Sequence, residues 1–189
     1  YTGYFRSRRS GDWNDTNTWE ASSNGITWSA ATGVVPNDLS AGTTILAGHT
    51  VTITNHLVTG KLTVQPGGKL RWSGGSFTLK DAPGDDLVLQ GLNSEWEVAG
   101  NAVPVLTGSA SVRIGSGAVL KLAGNNNLLA FHGNAYTYAN GAVFEYSYTT
   151  APPVTGTLFS TQEAGAIPVF RYNSPVTTAL GSGGATTIN

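Results

Sequence analysis

One short phrase is written five times between residues 43 and 148. An alternating apolar strand runs into a glycine turn, and a second short strand follows. Lys61-Leu62-Thr63-Val64-Gln65-Pro66-Gly67-Gly68-Lys69-Leu70-Arg71-Trp72 gives it in full, and the other copies open at Thr44, Leu87, Ser111 and Tyr136. The turn glycines Gly48, Gly68, Gly91, Gly117 and Gly141 recur at about 20–26 residues, the spacing of solenoids and coil arrays.

Within each copy the side chains alternate. Leu62 and Val64 share one phase, Thr63 and Gln65 the other; Leu70 and Trp72 oppose Lys69 and Arg71. Trp96 and Val98 oppose Glu95 and Glu97, and Leu120 and Leu122 oppose Lys121. A period of two with every charge on one phase predicts half-buried strands, because a helix would scatter those charges through its apolar stripe. A lone copy cannot hold itself together. It buries about five large apolar groups at roughly 1.5–3 kcal/mol each, against about 1–2 kcal/mol per residue of backbone ordering. Stacked copies share hydrogen bonds and close a common interior. The connections are too short for helical crossovers, and the phrase always returns in the same direction. We therefore expect an all-β chain, a right-handed parallel β-helix of about 5–6 rungs with an N-terminal aromatic cap. The cap is expected over residues 1–42, the rungs over 43–180, and a linker or the start of a following segment over 181–189.

Composition narrows the function. Charged residues make up 11% of the chain, against about 25% in ordinary soluble proteins. So few Lys and Arg give no broad phosphate-binding face, and nucleic acid is not an expected partner. There is no cysteine, hence no disulfide and no thiolate metal site. No apolar run approaches the ~20 residues of a membrane-spanning helix. The chain opens on Tyr1 and has no methionine, so we expect a processed or excised piece that continues past Asn189.

Ser10-Gly11-Asp12-Trp13-Asn14-Asp15-Thr16-Asn17-Thr18-Trp19 sets two tryptophans among turn formers, and Trp28 follows. A stack of strands ends on an open edge, and terminal repeats act as caps. Trp13, Asp15, Trp19 and Trp28 are therefore expected to form a lid, with sugar stacking on the tryptophans as the alternative. Together with Gly48-His49-Thr50-Val51-Thr52 and Gly67-Gly68-Lys69-Leu70, this segment resembles the opening of large secreted surface proteins of the Bacteroidota. It is also similar to the eight-glycine domain of animal cell-surface proteins. The resemblance covers roughly the first 75 residues and departs from the animal domain in an insert at residues 21–31. It implies a β-helix module on an exported, carbohydrate-associated or adhesive protein, and carries no catalytic residue with it.

Chemistry has few places to reside. His49, His56 and His132 are isolated, and no nucleophile elbow, phosphate loop or zinc signature is present. Glu95 and Glu97 project from one strand face, a spacing that suits glycoside hydrolysis, with Arg113 and Lys121 of the next copy as base or clamp; the alternative is a set of surface ion pairs. Asp81, Asp85 and Asp86 are the residues able to take a calcium ion, although their spacing lacks the rule of a calcium-binding hand. Tyr136, Tyr138, Tyr146 and Tyr148, with His132, form an aromatic strip for a sugar if they face outward, and core if they do not. The expected function is a non-catalytic module of an exported cell-surface or adhesin-like protein, secreted or at the bacterial surface. Its expected partners are a polysaccharide or cell-surface glycan and further domains of the same chain. The rivals are a polysaccharide lyase or glycoside hydrolase fragment and a ligand-free stalk.

Overall fold

In the computed structural model, which describes residues 2–99, 104–123, 135–147 and 168–172, burial follows the alternation strand by strand. The described residues form an all-β structure built on parallel sheets, without α-helix. One sheet stacks β1 (Tyr4–Ser7), β5 (Gly42–Ile45), β8 (Leu62–Val64), β11 (Leu87–Leu89), β14 (Val112–Ile114) and β16 (Tyr136–Tyr138). A second stacks β2 (Gly11–Asp12), β6 (Thr50–Ile53), β9 (Lys69–Trp72), β12 (Glu95–Val98), β15 (Val119–Leu122), β17 (Val143–Tyr146) and β18 (Val169–Tyr172). A third holds β7 (Leu57–Thr59), β10 (Phe77–Lys80) and β13 (Val105–Thr107). The chain visits the sheets in rotation and each strand pairs in parallel with its counterpart in the next pass. That order is compatible with a solenoid.

Registration puts like on like. Ile45, Val64, Leu89, Ile114 and Tyr138 form one inward column, and Val51, Leu70, Trp96, Leu120 and Phe144 another. All are buried. Each side chain lies on its counterpart about 4.8 Å away, so the interior is one continuous apolar channel. Trp72, Phe77 and Trp96 interlock edge to face inside it, with ring centres 5.8 Å apart at both contacts.

The turn between the first two strands of each pass needs a left-handed residue. Gly48, Gly67, Gly117 and Gly141 supply it at φ between 72° and 78°. In the second copy the left-handed residue is thus Gly67, not Gly68. Gly68 is needed for another reason: a Cβ there would sit 2.9 Å from the Leu46 carbonyl of the pass before. In the third copy the role falls to Asn93 at φ 60°, the residue type after glycine that best tolerates this conformation.

At the N-terminal end the pattern changes. β3 (Trp19–Ser22) runs antiparallel to β1, and β4 (Ser29–Ala30) antiparallel to β3. Trp13 and Trp19 are fully buried and packed edge-on at 5.0 Å. Their indole N–H groups donate to the carbonyls of Pro36 (3.0 Å) and Trp13 (2.8 Å). Asp15 accepts from the Asn17 backbone N–H at 2.9 Å, which starts the 3-10 turn Thr16–Thr18. The outermost strand, β4, is two residues long, which gives a neighbouring chain little edge to pair with. The linker expected over 181–189, together with Tyr148 and His132, lies outside the described residues.

Candidate functional site

Outward-facing positions decide what this frame can touch. The tyrosines expected as a surface strip are not among them. Tyr136, Tyr138 and Tyr146 are 2%, 0% and 2% exposed. They follow Val112, Ile114 and Leu122 in the inward columns, and burial pushes the hydroxyls of Tyr136 and Tyr138 above their ordinary pKa. The sugar strip is corrected to channel core at these three positions.

The carboxylate pair is also rearranged. Glu95 and Glu97 do share the outer face of β12, but Arg113 stands on β14, in a different sheet. The cations paired with the glutamates come from the preceding pass, while Lys121 of the following pass stands in register with Glu97 but pairs with Glu145. Lys69 reaches Glu95 at 3.0 Å and Glu97 at 2.5 Å, and Arg71 reaches Glu97 at 2.9 Å. In register, Arg71, Glu97, Lys121 and Glu145 form a ladder of alternating charge up the second sheet, with Lys121 and Glu145 3.4 Å apart. Burial alone would raise the Glu97 pKa, but hydrogen bonds from Lys69 and Arg71 outweigh it and hold the group below its ordinary value. Lys69 is the mirror case: burial pulls it down, and the bonds to Glu97 and Glu95 more than restore it. A glutamate held ionised is a poor general acid, since that role needs a raised pKa. The arrangement works as a clamp between passes.

The sign of its pH dependence follows from the two directions. The depressed Glu97 contributes stability that is present above its ordinary value of 4.5 and lost as pH falls through the lower folded value. The raised Lys69 contributes stability that is present below 10.5 and lost as pH rises through the higher folded value. Glu97→Gln is expected to lower stability at pH 7 by about 1–2 kcal/mol, two partly exposed pairs at the upper end of their usual worth. Urea titrations at pH 7 and at pH 3 check this, with the gap between variant and wild type narrowing in acid.

The aspartates do not gather. Asp86 is fully buried, and its two oxygens accept the backbone N–H groups of Ala82 (2.7 Å) and Ser111 (2.8 Å). Asp81 and Asp85 are exposed. Among the described residues no three carboxylates or imidazoles group as a metal site requires. His49 Nδ1 lies 2.8 Å from Ser7 Oγ, yet that hydroxyl is buried and already accepts the Leu46 N–H, so the pair braces a turn.

What the outer wall does offer is a depression of about 470 Å³ near the N-terminal end of the first sheet. Tyr4, Asn24, Trp28, Gly42, Thr44, Lys61 and Thr63 line it. The floor follows from strand register. Tyr4 pairs with Gly42, and Lys61 directly precedes Leu62, the partner of Thr43. Tyr4, Gly42 and Lys61 therefore make one row across three strands, about 10 Å long at two strand spacings. Arg6, Thr44 and Thr63 make the next row. The Tyr4 ring leans over Gly42, where an added Cβ would meet it at 3.5 Å. The wall is the hairpin of β3 and β4, which is the insert at residues 21–31. Its tip is fixed by Asn24, whose Oδ1 accepts the N–H groups of Ile26 and Thr27 at 2.9 and 3.0 Å. Trp28 comes back from that tip half-exposed. The Arg6 guanidinium covers it at 4.5 Å from the ring centre and is itself held by Glu20 at 2.7 Å.

Tyr4, Asn24 and Lys61 were not singled out from the sequence. Their signal was the strand phase: with Phe5 inward, Tyr4 and Arg6 must face out. Comparison with protein-family models, with curated proteins and with solved structures finds no match to this chain. No helix among the described residues is long and apolar enough to cross a membrane.

Proposed function

We propose that this chain is a right-handed parallel β-helix that serves as a non-catalytic module of an exported cell-surface or adhesin-like protein. It contacts polysaccharide through the Tyr4–Trp28 depression. The right hand is the one that parallel crossover connections take in about 98% of cases. Export is supported by the resemblance of the first 75 residues to bacterial surface proteins.

One observation carries the reading. Four of the five tryptophans are buried in the channel or the end layer, and Trp28 alone is half-exposed. It faces the same shallow hollow as the exposed Tyr4, among hydroxyl and amide groups. Aromatic side chains beside a few fixed polar groups are the make-up of a ligand site, and a hollow lined by two aromatic residues with a polar rim suits the alternating apolar and hydroxylated faces of a sugar.

The test uses tryptophan fluorescence. Trp28 is the tryptophan that acrylamide should reach, and a bound glycan should shield it. On a panel of bacterial and plant polysaccharides, at least one is expected to bind with that shielding. Trp28→Ala is expected to weaken the binding by about tenfold or more, the loss typical of truncating an aromatic anchor. Silence across acidic and neutral glycans would favour a ligand-free stalk. Release of unsaturated or reducing ends, abolished in Glu97→Gln, would favour the enzyme reading.

A further inference from the structure

We infer that the glycan held in this depression is acidic, with a carboxylate or sulfate set against the Lys61 ammonium. The inference rests on the proposed function and narrows its ligand. The chain has four lysines. Three of them are tied to carboxylates: Lys69 to Glu95 and Glu97, Lys80 to Asp38, and Lys121 to Glu145. Lys61 has no carboxylate within ion-pair distance among the described residues, and it is the lysine that lines the depression. No acidic residue lines it.

Lys61 is also partly buried. A cation with no carboxylate beside it is open to an arriving anion, and its charge favours an acidic ligand over a neutral one. The row Tyr4, Gly42, Lys61 spans about 10 Å of backbone, with the Tyr4 ring leaning over Gly42 and Lys61 on the next strand lining the same depression. A sugar stacked on Tyr4 or Trp28 would bring an acidic group, its own or its neighbour's, to the ammonium. Thr44 and Thr63 offer hydroxyls alongside.

Three probes separate the possibilities: polygalacturonate, which is carboxylated; dextran sulfate; and neutral dextran. Binding is read by calorimetry and Trp28 shielding at 50 and 300 mM salt. The wild type is expected to bind at least one acidic probe ten times or more tighter than dextran, and to lose much of that preference at high salt. Which acidic probe wins tells carboxylate from sulfate. Lys61→Gln is expected to bring acidic binding down to the dextran level, and Lys61→Arg to keep most of it. Arg8→Gln, which removes an exposed cation outside the depression, should change nothing. Gly42→Leu, which sets a bulky side chain against the Tyr4 ring inside the depression, should abolish binding of every probe while circular dichroism stays unchanged. Equal binding of dextran and the acidic probes, or a preference that survives Lys61→Gln, overturns the inference and leaves the glycan site standing. Binding that Trp28→Ala does not alter, or no binding of any probe, overturns the site and the inference together.

Discussion

Trp96→Ala is expected to destabilise the protein by about 3–5 kcal/mol, the usual range for removing a large buried aromatic. Trp96 is fully buried in β12, between Leu70 of the pass before and Leu120 of the pass after. Its ring meets Phe77 edge-on at 5.8 Å and 88°, and Phe77 in turn meets Trp72. No single neighbour can collapse into the space, because each is pinned by register to its own pass. In a chain of this size each kcal/mol moves the melting temperature by about 2–4 °C, so a drop of roughly 10 °C is expected. Urea and thermal unfolding followed by far-UV circular dichroism check it. Trp28→Ala is the internal comparison: its ring is half-exposed, and the same substitution should stay within about 1 kcal/mol of wild type.

Gly75→Ala is expected to cost about 2–5 kcal/mol for a single added methyl group. Gly75 sits at φ 68°, in the left-handed region, which disfavours a Cβ by roughly 1–2 kcal/mol. The larger part is contact between passes. A Cβ would lie 2.2 Å from the Asn55 carbonyl carbon and 2.3 Å from its oxygen. Those are backbone atoms, so no rotamer change relieves the overlap, and forced overpacking adds about 1–3 kcal/mol. Gly33→Ala separates the two effects. Gly33 has φ 70° and nothing within 4 Å of the added Cβ, so it should lose only the conformational share. If the two variants unfold at the same urea concentration, the turns of successive passes do not touch as described.

These sites also show what a reader of the sequence could and could not see. The strands were legible because Leu62 and Val64, Leu120 and Leu122, and Trp96 and Val98 each alternate with charged or hydroxyl groups. Which way the tyrosines faced was harder. Alternation says that Tyr136 and Tyr138 share a face, not which face. Counting from the turn settles it: Ile45, Val64, Ile114 and Tyr138 each stand three residues before the left-handed glycine of their copy, and all are buried. The third strands β7, β10 and β13 were harder to see because no repeated glycine turn marks them; Phe77-Thr78-Leu79-Lys80 alternates but follows no repeated turn. The mistaken pairing of Glu97 with Arg113 came from treating neighbours in the repeat as neighbours in space. The two residues belong to different strands of their passes, and only register assigns them to different sheets. The depression was the least legible feature. It joins a strand, a hairpin insert and two later strands, which lie far apart in the sequence.

Every position assigned above depends on passes stacked in parallel and in register, and that can be measured across the first sheet. The chain has no cysteine, so Thr44→Cys and Thr137→Cys can carry a pair of spin labels without background. The register runs Thr44, Thr63, Val88, Arg113, Thr137, four strand spacings, or about 19 Å between backbones. Pulsed electron-spin resonance should return one narrow distance near that value, broadened only by the label tethers. A distance beyond about 30 Å, or a broad spread with no maximum near four strand spacings, would contradict the stack and the outward row of Tyr4, Gly42 and Lys61 that stands on it.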